Sequence, residues 1–328
     1  MKIVIIKLGA LGDVIRTTPI AVALKKIYPA SQILWITKKE SVPLLEGQEY
    51  IERVVALPFK TDETFDLLYN FDIEKQATEL VEKIKAEKKY GFGADGDYPV
   101  SLNPGAEYYL NTVFDDSLKK SNKKTYQEMM FEAAELPYSQ ELCAISLNKR
   151  DMLYAETFAQ KNKIKTEKLI GIHMGASGRW PSKAWHPDRI IEFIRLAKNR
   201  GYEIIMFGGT AEQTKLDLAV STLEEESIKV YRQEPGTDTK QFAALVGLCR
   251  YIVCSDSFCL HIALALKKKT AGLFFCTSPD EVEGYGLLKK MVAPKLYDFF
   301  PEKSDIYDEP LTKSIDPEDV LDALEDIK

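Results

Sequence analysis

No stretch of this 328-residue chain approaches the ~18 consecutive apolar residues a spanning helix needs, and Lys7 and Asp13 interrupt the apolar N-terminal segment. The expectation is a chain with neither a spanning helix nor a secretory leader, retained in the cytoplasm. Cysteine is sparse: Cys143, Cys249, Cys254, Cys259 and Cys276 form an odd set with no C-x-x-C pair. That fits reduced, buried thiols and argues against a metal site. An excess of positive charge is missing as well. The 44 basic and 50 acidic side chains leave a net charge of -6, and the first 150 residues carry 20 and 22 of them, so neither half offers a basic nucleic-acid surface. Two short lysine clusters stand out, Lys83, Lys85, Lys88 and Lys89, and Lys119, Lys120, Lys123 and Lys124. They read as solvated helix faces, with peripheral contact to an anionic inner-membrane surface as a second expectation.

What is present is an ordinary globular composition, 45% apolar and 29% charged, in a chain long enough for two domains at ~150 residues each. Short β-branched runs alternate with helical patterns. In the first half the pattern predicts strands at Lys2–Leu8, Gln32–Thr37 and Phe65–Tyr69, and helices at Asp13–Ile27, Ile73–Lys85 and Thr125–Leu136. It blurs between Asp95 and Asn122. A charged helix over Lys149–Lys163 leads into a lysine-rich segment, 161–168, taken as the hinge. Strands are then expected at Leu169–His173, Glu203–Phe207, Ile228–Tyr231, Tyr251–Cys254 and Thr270–Phe275. Helices are expected at Pro187–Arg200, Ala211–Leu223, Thr239–Leu248, Ser257–Lys267 and Asp316–Ile327. Strands alternating with helices imply parallel sheets covered on both faces. The fold class is therefore α/β, two Rossmann-like doubly wound domains, 1–160 and 161–328, with a last helix that packs back on the first domain.

In open parallel sheets ligands gather beyond the carboxyl ends of the strands, so two such sheets facing a cleft would feed it with strand-to-helix turns. The first turn reads Lys7-Leu8-Gly9-Ala10-Leu11-Gly12-Asp13. It matches neither G-x-G-x-x-G nor G-x-x-x-x-G-K-[ST], which weighs against nicotinamide and nucleoside-triphosphate sites. Gly9 and Gly12 let the backbone pass close to a ligand, and Asp13 stands at the helix start either as a general base or as an N-cap. The two roles differ in consequence. Loss of a cap costs ~1 kcal/mol of stability, whereas loss of a general base costs roughly 10²- to 10⁴-fold in rate.

Three further turns belong to the second half. His173 to Trp180 is a small-residue loop containing Ser177 and Arg179, with Lys183 beyond it. Close backbone approach and two cations suit a diphosphate, the alternative being a surface loop with stray basic residues. Cys254 to His261 enters a helix whose free amides and dipole favour an anion by ~0.3 to 1 kcal/mol. There Asp256 and Ser257 either meet that anion or cap the helix above a packed His261. Phe207-Gly208-Gly209-Thr210-Ala211-Glu212 places a carboxylate where it can accept both hydroxyls of a ribose, although glutamate is favourable in any first helical turn.

In sequence order these turns resemble glycosyltransferase family 9, the ADP-heptose:lipopolysaccharide heptosyltransferases. The similarity is strongest at K-L-G-A-L-G-D-V-I-R-T-T-P (7–19), S-K-A-W-H-P (182–187), F-G-G-T-A-E (207–212) and S-D-S-F-C-L-H-I-A (255–263). It implies a GT-B architecture with an acceptor-binding first domain and a donor-binding second domain. It also implies inverting, metal-independent transfer of a heptose-like sugar, from ADP-heptose to a lipopolysaccharide core or related glycan, with no cofactor beyond the nucleotide sugar. On that resemblance Asp13 is the catalytic base and Lys183 holds the donor diphosphate. Glu212 binds the ribose, and Asp256, Ser257 and His261 lie at the pyrophosphate and sugar. The chain departs from the family pattern at Phe258, where glycine is usual.

Other readings remain at this level. A metal-dependent transferase would use a D-x-D pair, and Asp95-Gly96-Asp97 has that spelling, but its glycines and Pro99 read as a turn. A sugar-nucleotide epimerase of the same fold would need no acceptor, and a noncatalytic nucleotide-sugar sensor would need no base. Tyr108 and Tyr109, within 103–111, offer aromatic faces to a sugar or pack in the core.

Overall fold

A computed structural model describes residues 1–176 and 178–327. Its contacts divide the chain into two units, Met1–Ser146 with Asp280–Glu283, and Leu147–Pro279 with the chain from Gly284 on. The first contains β1 (Lys2–Ile6), α1 (Leu11–Thr17), α2 (Pro19–Ile27), β2 (Gln32–Thr37), α3 (Val42–Leu45), β3 (Arg53–Ala56), β4 (Thr64–Asn70) and α4 (Lys75–Lys83). It continues with β5 (Lys85–Asp95), β6 (Tyr98–Ser101), α5 (Glu107–Phe114), α6 (Asp116–Ser121) and α7 (Tyr126–Ala133). The sheet order is β3-β2-β1-β4-β5-β6, parallel except for the last pair.

The uninterrupted apolar runs of β1, β2 and β4 follow from burial on both faces. Ile3, Ile5, Ile33, Trp35, Leu67 and Tyr69 point to one side, where Val14, Ile20, Leu24 and Met130 cover them. Val4, Ile6, Leu34, Ile36 and Leu68 point to the other, against Ala77, Leu80 and Val81 of α4. Register keeps the layers in step, with Ile5 opposite Trp35 on one neighbour and Tyr69 on the other.

Several expected elements are corrected. β1 ends at Ile6, two residues early, because Lys7 and Leu8 belong to the turn. The single helix expected from Asp13 to Ile27 is two. Pro19 lacks an N–H and begins α2 at its first position, while the Thr18 hydroxyl turns back onto the Ile15 carbonyl at 2.6 Å. The helix expected to reach Lys85 stops at Lys83, and the lysines beyond it lie on a long strand, β5, rather than on a helix face. Asp95-Gly96-Asp97 makes the tight β5–β6 connection, with Gly96 at φ +60°. Among the described residues no group of histidine, cysteine and carboxylate side chains has a metal-holding arrangement.

The second unit contains α8 (Lys149–Asn162), β7 (Leu169–His173), α9 (Pro187–Asn199), β8 (Glu203–Phe207), α10 (Gln213–Glu225), β9 (Tyr231–Arg232) and α11 (Thr239–Leu248). After these come β10 (Tyr251–Ser255), α12 (Phe258–Ala265), β11 (Lys269–Phe274), β12 (Leu288–Val292), α13 (Leu296–Phe299), α14 (Glu309–Thr312) and α15 (Pro317–Glu325). Its sheet is ordered β12-β11-β10-β7-β8-β9 and is parallel throughout. The chain passes between units at Ser146–Leu147, ahead of the lysine-rich 161–168 segment, because α8 packs on α11 of the second unit. α15 also stays within the second unit, against α9 and β11, where Arg200 meets Asp322 at 2.6 Å and Tyr202 donates to Glu325 at 2.9 Å. No described helix is long and apolar enough to cross a membrane. All five cysteines are buried and outside disulfides.

The two sheets share one winding. In each, the first strand of the unit lies beside the fourth, β1 beside β4 and β7 beside β10, and the order reverses between them. That reversal leaves a crevice at the carboxyl ends of the two central strands, which is where open α/β sheets bind ligands.

Candidate active site

At the reversal in the first unit the turn after β1 meets the turn after β4. Lys7 is buried, and its ammonium donates to the Phe71 carbonyl at 2.8 Å and to Asp72 Oδ1 at 3.2 Å. The other Asp72 oxygen accepts the backbone N–H groups of Leu8 and Gly9, the latter at 2.9 Å. Burial alone would lower the lysine's pKa. The carboxylate of Asp72, with Tyr126 and Asp13 nearby, overrides it and holds the pKa well above the ordinary value, so Lys7 is a fixed cation.

Beyond this turn α1 begins after Ala10, which makes Asp13 its third residue and not its N-cap. Its carboxylate, about a third exposed, meets Arg16 Nη2 at 2.9 Å. The Arg16 guanidinium lies 3.8 Å from the Tyr126 ring centroid, and the Tyr126 hydroxyl is 2.9 Å from that of Thr17. Tyr126 is buried and Tyr109 partly so, and burial raises both phenols. Gly9 has a definite reason to be glycine, since a Cβ there would sit 3.3 Å from both Asp13 Oδ2 and Lys7 Nζ. Gly12 lies buried in the first turn of α1. Tyr108 and Tyr109 pack against the core, Tyr109 edge-on to Tyr126 at 6.0 Å.

The second unit repeats the device. Lys183, from the turn after β7, reaches Asp256, from the turn after β10, at 3.1 Å, and both side chains are largely buried. His261 Nε2 lies 3.9 Å from the other Asp256 oxygen. Ser257 is the N-cap of α12, yet its hydroxyl makes no capping bond and is buried without a hydrogen-bond partner among the described residues. The Thr277 hydroxyl, in the loop after β11, is in the same condition. Its neighbour Cys276 has its thiol pushed up to about 11, mainly by burial, and also feels the charges of Lys183 and Asp256. Buried hydroxyls without partners beside a lysine and a helix N-terminus suit an oxyanion that supplies the missing bonds.

Of the residues expected from the sequence, Lys7, Gly9, Gly12 and Asp13 lie together in the first unit, and Lys183, Asp256, Ser257 and His261 in the second. Glu212 accepts from the Gly209 N–H at 2.8 Å and abuts Gly175, whose missing Cβ would lie 3.0 Å from its carboxyl carbon and 2.9 Å from His173 Cε1. Arg179 is exposed, its guanidinium 5.3 Å from the Trp180 ring, with the Lys183 ammonium 4.8 Å from the same ring. Ser177 lies outside the described residues. Phe258 stacks on Phe242 at 5.8 Å, and Phe242 lies 5.9 Å from the His173 ring. An open pocket of about 380 Å³ lined by Arg150, Tyr154, Phe158, Lys161, Glu234 and Gln241 shares no residue with these turns.

The sequence reading missed three residues here. Asp72 and Thr277 follow strands without a glycine-rich spacing to mark them. His173 ends a strand and reads as core. A strand-to-turn position holding an uncharged hydroxyl or a lone aspartate was the only available signal.

The pattern of glycosyltransferase family 9 (heptosyltransferase) matches residues 61–299. The lipooligosaccharide heptosyltransferase 2 of Haemophilus ducreyi is 27% identical over 303 residues, 85% of each chain. The lipopolysaccharide heptosyltransferase 1 of Campylobacter coli is 22% identical over 295 residues, 84% of each. In fold, the crystal structure of a family 9 glycosyltransferase from Veillonella parvula superposes with a TM-score of 0.78 at 19% identity, covering 99% of this chain and 96% of that one.

His173 gives the site a pH dependence. Burial lowers its imidazole to about 4, although its Nδ1 lies 3.1 Å from the Gly175 carbonyl and is assigned as the donor there. The unfolded chain takes up a proton near pH 6.5 that the folded one refuses. Stability from this residue is thus complete above that pH and is lost as pH falls toward 4. Between pH 7 and pH 5 the loss is about 2 kcal/mol. The expected outcome for His173→Gln is an unfolding free energy, measured by urea denaturation, that changes less between those pH values than the wild type's, by about that amount. Equal changes in the two proteins would remove His173 as the acid-sensitive group.

Proposed function

Because the chain belongs to glycosyltransferase family 9, the heptosyltransferase family, and so is a glycosyltransferase, we propose that it performs an inverting, metal-independent transfer of heptose. The donor is ADP-heptose and the acceptor a lipopolysaccharide core or related glycan, with the enzyme working at the cytoplasmic side of the inner membrane. The names of the Haemophilus and Campylobacter relatives support the substrate class. The observation that carries the chemistry is the second unit's cation at the sheet reversal, Lys183 beside the partnerless hydroxyl of Ser257 at the α12 N-terminus.

In this proposal the donor diphosphate lies against Lys183, the α12 amides and the Ser257 and Thr277 hydroxyls. Glu212, anchored on the Gly209 amide, takes the ribose hydroxyls, with Arg179 at the outer edge of the same loop and Asp256 and His261 toward the sugar. Asp13 removes the proton from the acceptor hydroxyl. The acceptor oxygen bonds to the anomeric carbon from the face opposite the leaving group, the bond to the diphosphate oxygen breaks, and its electron pair stays with the nucleotide. A carboxylate of ordinary pKa ~3.9 is a weak base for a sugar alcohol. Proton removal therefore accompanies departure of the diphosphate, whose growing charge fixed positive groups stabilise without reorganising. Asp13 is suited to this by its place in the first turn of α1, partly exposed and oriented by Arg16.

Asp13→Asn should fold, bind ADP as the wild type does, and lose roughly 10²- to 10⁴-fold in transfer rate. Near-normal turnover in a radiolabelled-heptose assay would remove Asp13 as the base. Lys183→Ala should weaken ADP by roughly 10- to 100-fold in calorimetry, the range expected for a charge-assisted bond. An unchanged affinity would place the diphosphate elsewhere. Transfer should continue at full rate after dialysis against excess EDTA, and a rate restored only by added metal would overturn the metal-independent part of the proposal.

A further inference from the structure

The turn that carries Asp13 is held by a residue about sixty positions away. Asp72 is 7% exposed, and its carboxylate takes the Lys7 ammonium on one oxygen and the Leu8 and Gly9 N–H groups on the other. Asp72 is itself fixed by Asn70. The Asn70 side-chain amide donates to the Asp72 carbonyl at 2.8 Å and to the Phe92 carbonyl at 2.7 Å, and its oxygen accepts the Asp72 N–H at 3.1 Å. Nothing in this arrangement depends on a flexible surface side chain.

Lys7 and Asp13 are close. Each places a charged atom 3.3 Å from the point a Gly9 Cβ would occupy, so the ammonium and the carboxylate oxygen are less than twice that distance apart. The groups around Asp13 include Lys7 from the turn after β1, Arg16 on α1, Tyr126 on α7 and Tyr109 on α5. The single turn Lys39–Ser41 also packs on α1, and its Lys39 and Glu40 are exposed. A buried ammonium is poorly screened by water, so its charge reaches Asp13 unless another carboxylate offsets it.

We propose that Asp72 is a positioning residue for the transfer. By offsetting Lys7 and binding two amides of the turn, it weakens the pull of the Lys7 charge on the Asp13 carboxylate, and so sets its basicity. The inference rests on the proposed role of Asp13 as base.

The experiment titrates Asp13 directly, by carbon-13 NMR of protein labelled at aspartate carboxyl carbons, with the Asp13 signal identified by its loss in Asp13→Asn. In Asp72→Asn the Asp13 midpoint should fall by about one pH unit, and kcat at neutral pH should drop about three- to tenfold with ADP affinity unchanged. Asp72→Glu, which restores the charge, should titrate within a few tenths of a unit of wild type. Lys7→Met, which removes the cation, should raise the midpoint, and it serves if Asp72→Asn does not fold. A midpoint that stays put or rises in Asp72→Asn overturns the inference even if activity is lost, because a merely distorted turn does not lower it. A lowered midpoint in an enzyme whose Asp13→Asn variant still turns over supports the Asp72 effect while removing the base.

Discussion

A lysine and an aspartate meeting where the strand order reverses is the contact on which the rest of each unit's site depends. Lys7 and Asp72 make it in the first unit, Lys183 and Asp256 in the second. Such a pair is a poor source of stability, since taking two charges out of water costs about as much as their attraction returns. Its value is geometric. The turn after the first strand and the turn after the fourth leave the sheet in opposite directions, and without a cross-link each would be an independent surface loop. Tying them by opposite charges fixes a rigid crevice floor from two segments that have no other reason to adopt one conformation. In the first unit the tie includes backbone amides as well, so the path of the chain into α1 is set before the helix starts.

The two pairs are used differently. Lys7 is buried against Asp72, its ammonium 5.8 Å from the Tyr126 ring centroid, and its charge acts on Asp13 through space. Lys183 retains some exposure beside Trp180, and its partner Asp256 also faces His261. An enclosed cation tunes a neighbouring carboxylate, whereas one at the edge of solvent can meet an arriving anion. Under the proposed function the same winding thus serves proton removal in one unit and anion binding in the other.

How far the sequence discloses this follows from burial. β1, β2, β4, β7, β8, β10 and β11 are covered on both faces, so their apolar runs stand out against the helices between them. β5 and β12 escape notice because KAEKKYGFGAD and LKKMV carry lysines on strands near or at a sheet edge, where polar side chains reach water. Pro19 was visible, but the helical pattern on both sides of it hid the break into two segments. Asp13, Lys183 and Asp256 are legible because each follows a strand next to small residues. Asp72 follows β4 in the run Asn70-Phe71-Asp72-Ile73, with no small residue to mark a turn. Its importance arises only when β4 pairs with β1 and brings it to Leu8 and Gly9, a non-local event that local spacing does not encode.

Phe258 shows how one departure redistributes the work of a site. It is the first residue of α12, where the motif it resembles has glycine, and its ring stacks on Phe242, which in turn lies beside His173. A side chain there restricts how closely a ligand can approach the first amides of the helix, one of the two sources of positive potential at this end of the sheet. Under the proposed function the other source, Lys183, then carries a larger share of the diphosphate charge, and the Ser257 and Thr277 hydroxyls supply hydrogen bonds that a closer backbone would have given. Under the same proposal the stacked rings of Phe258 and Phe242 offer an apolar face against which a flat base or a sugar face can pack.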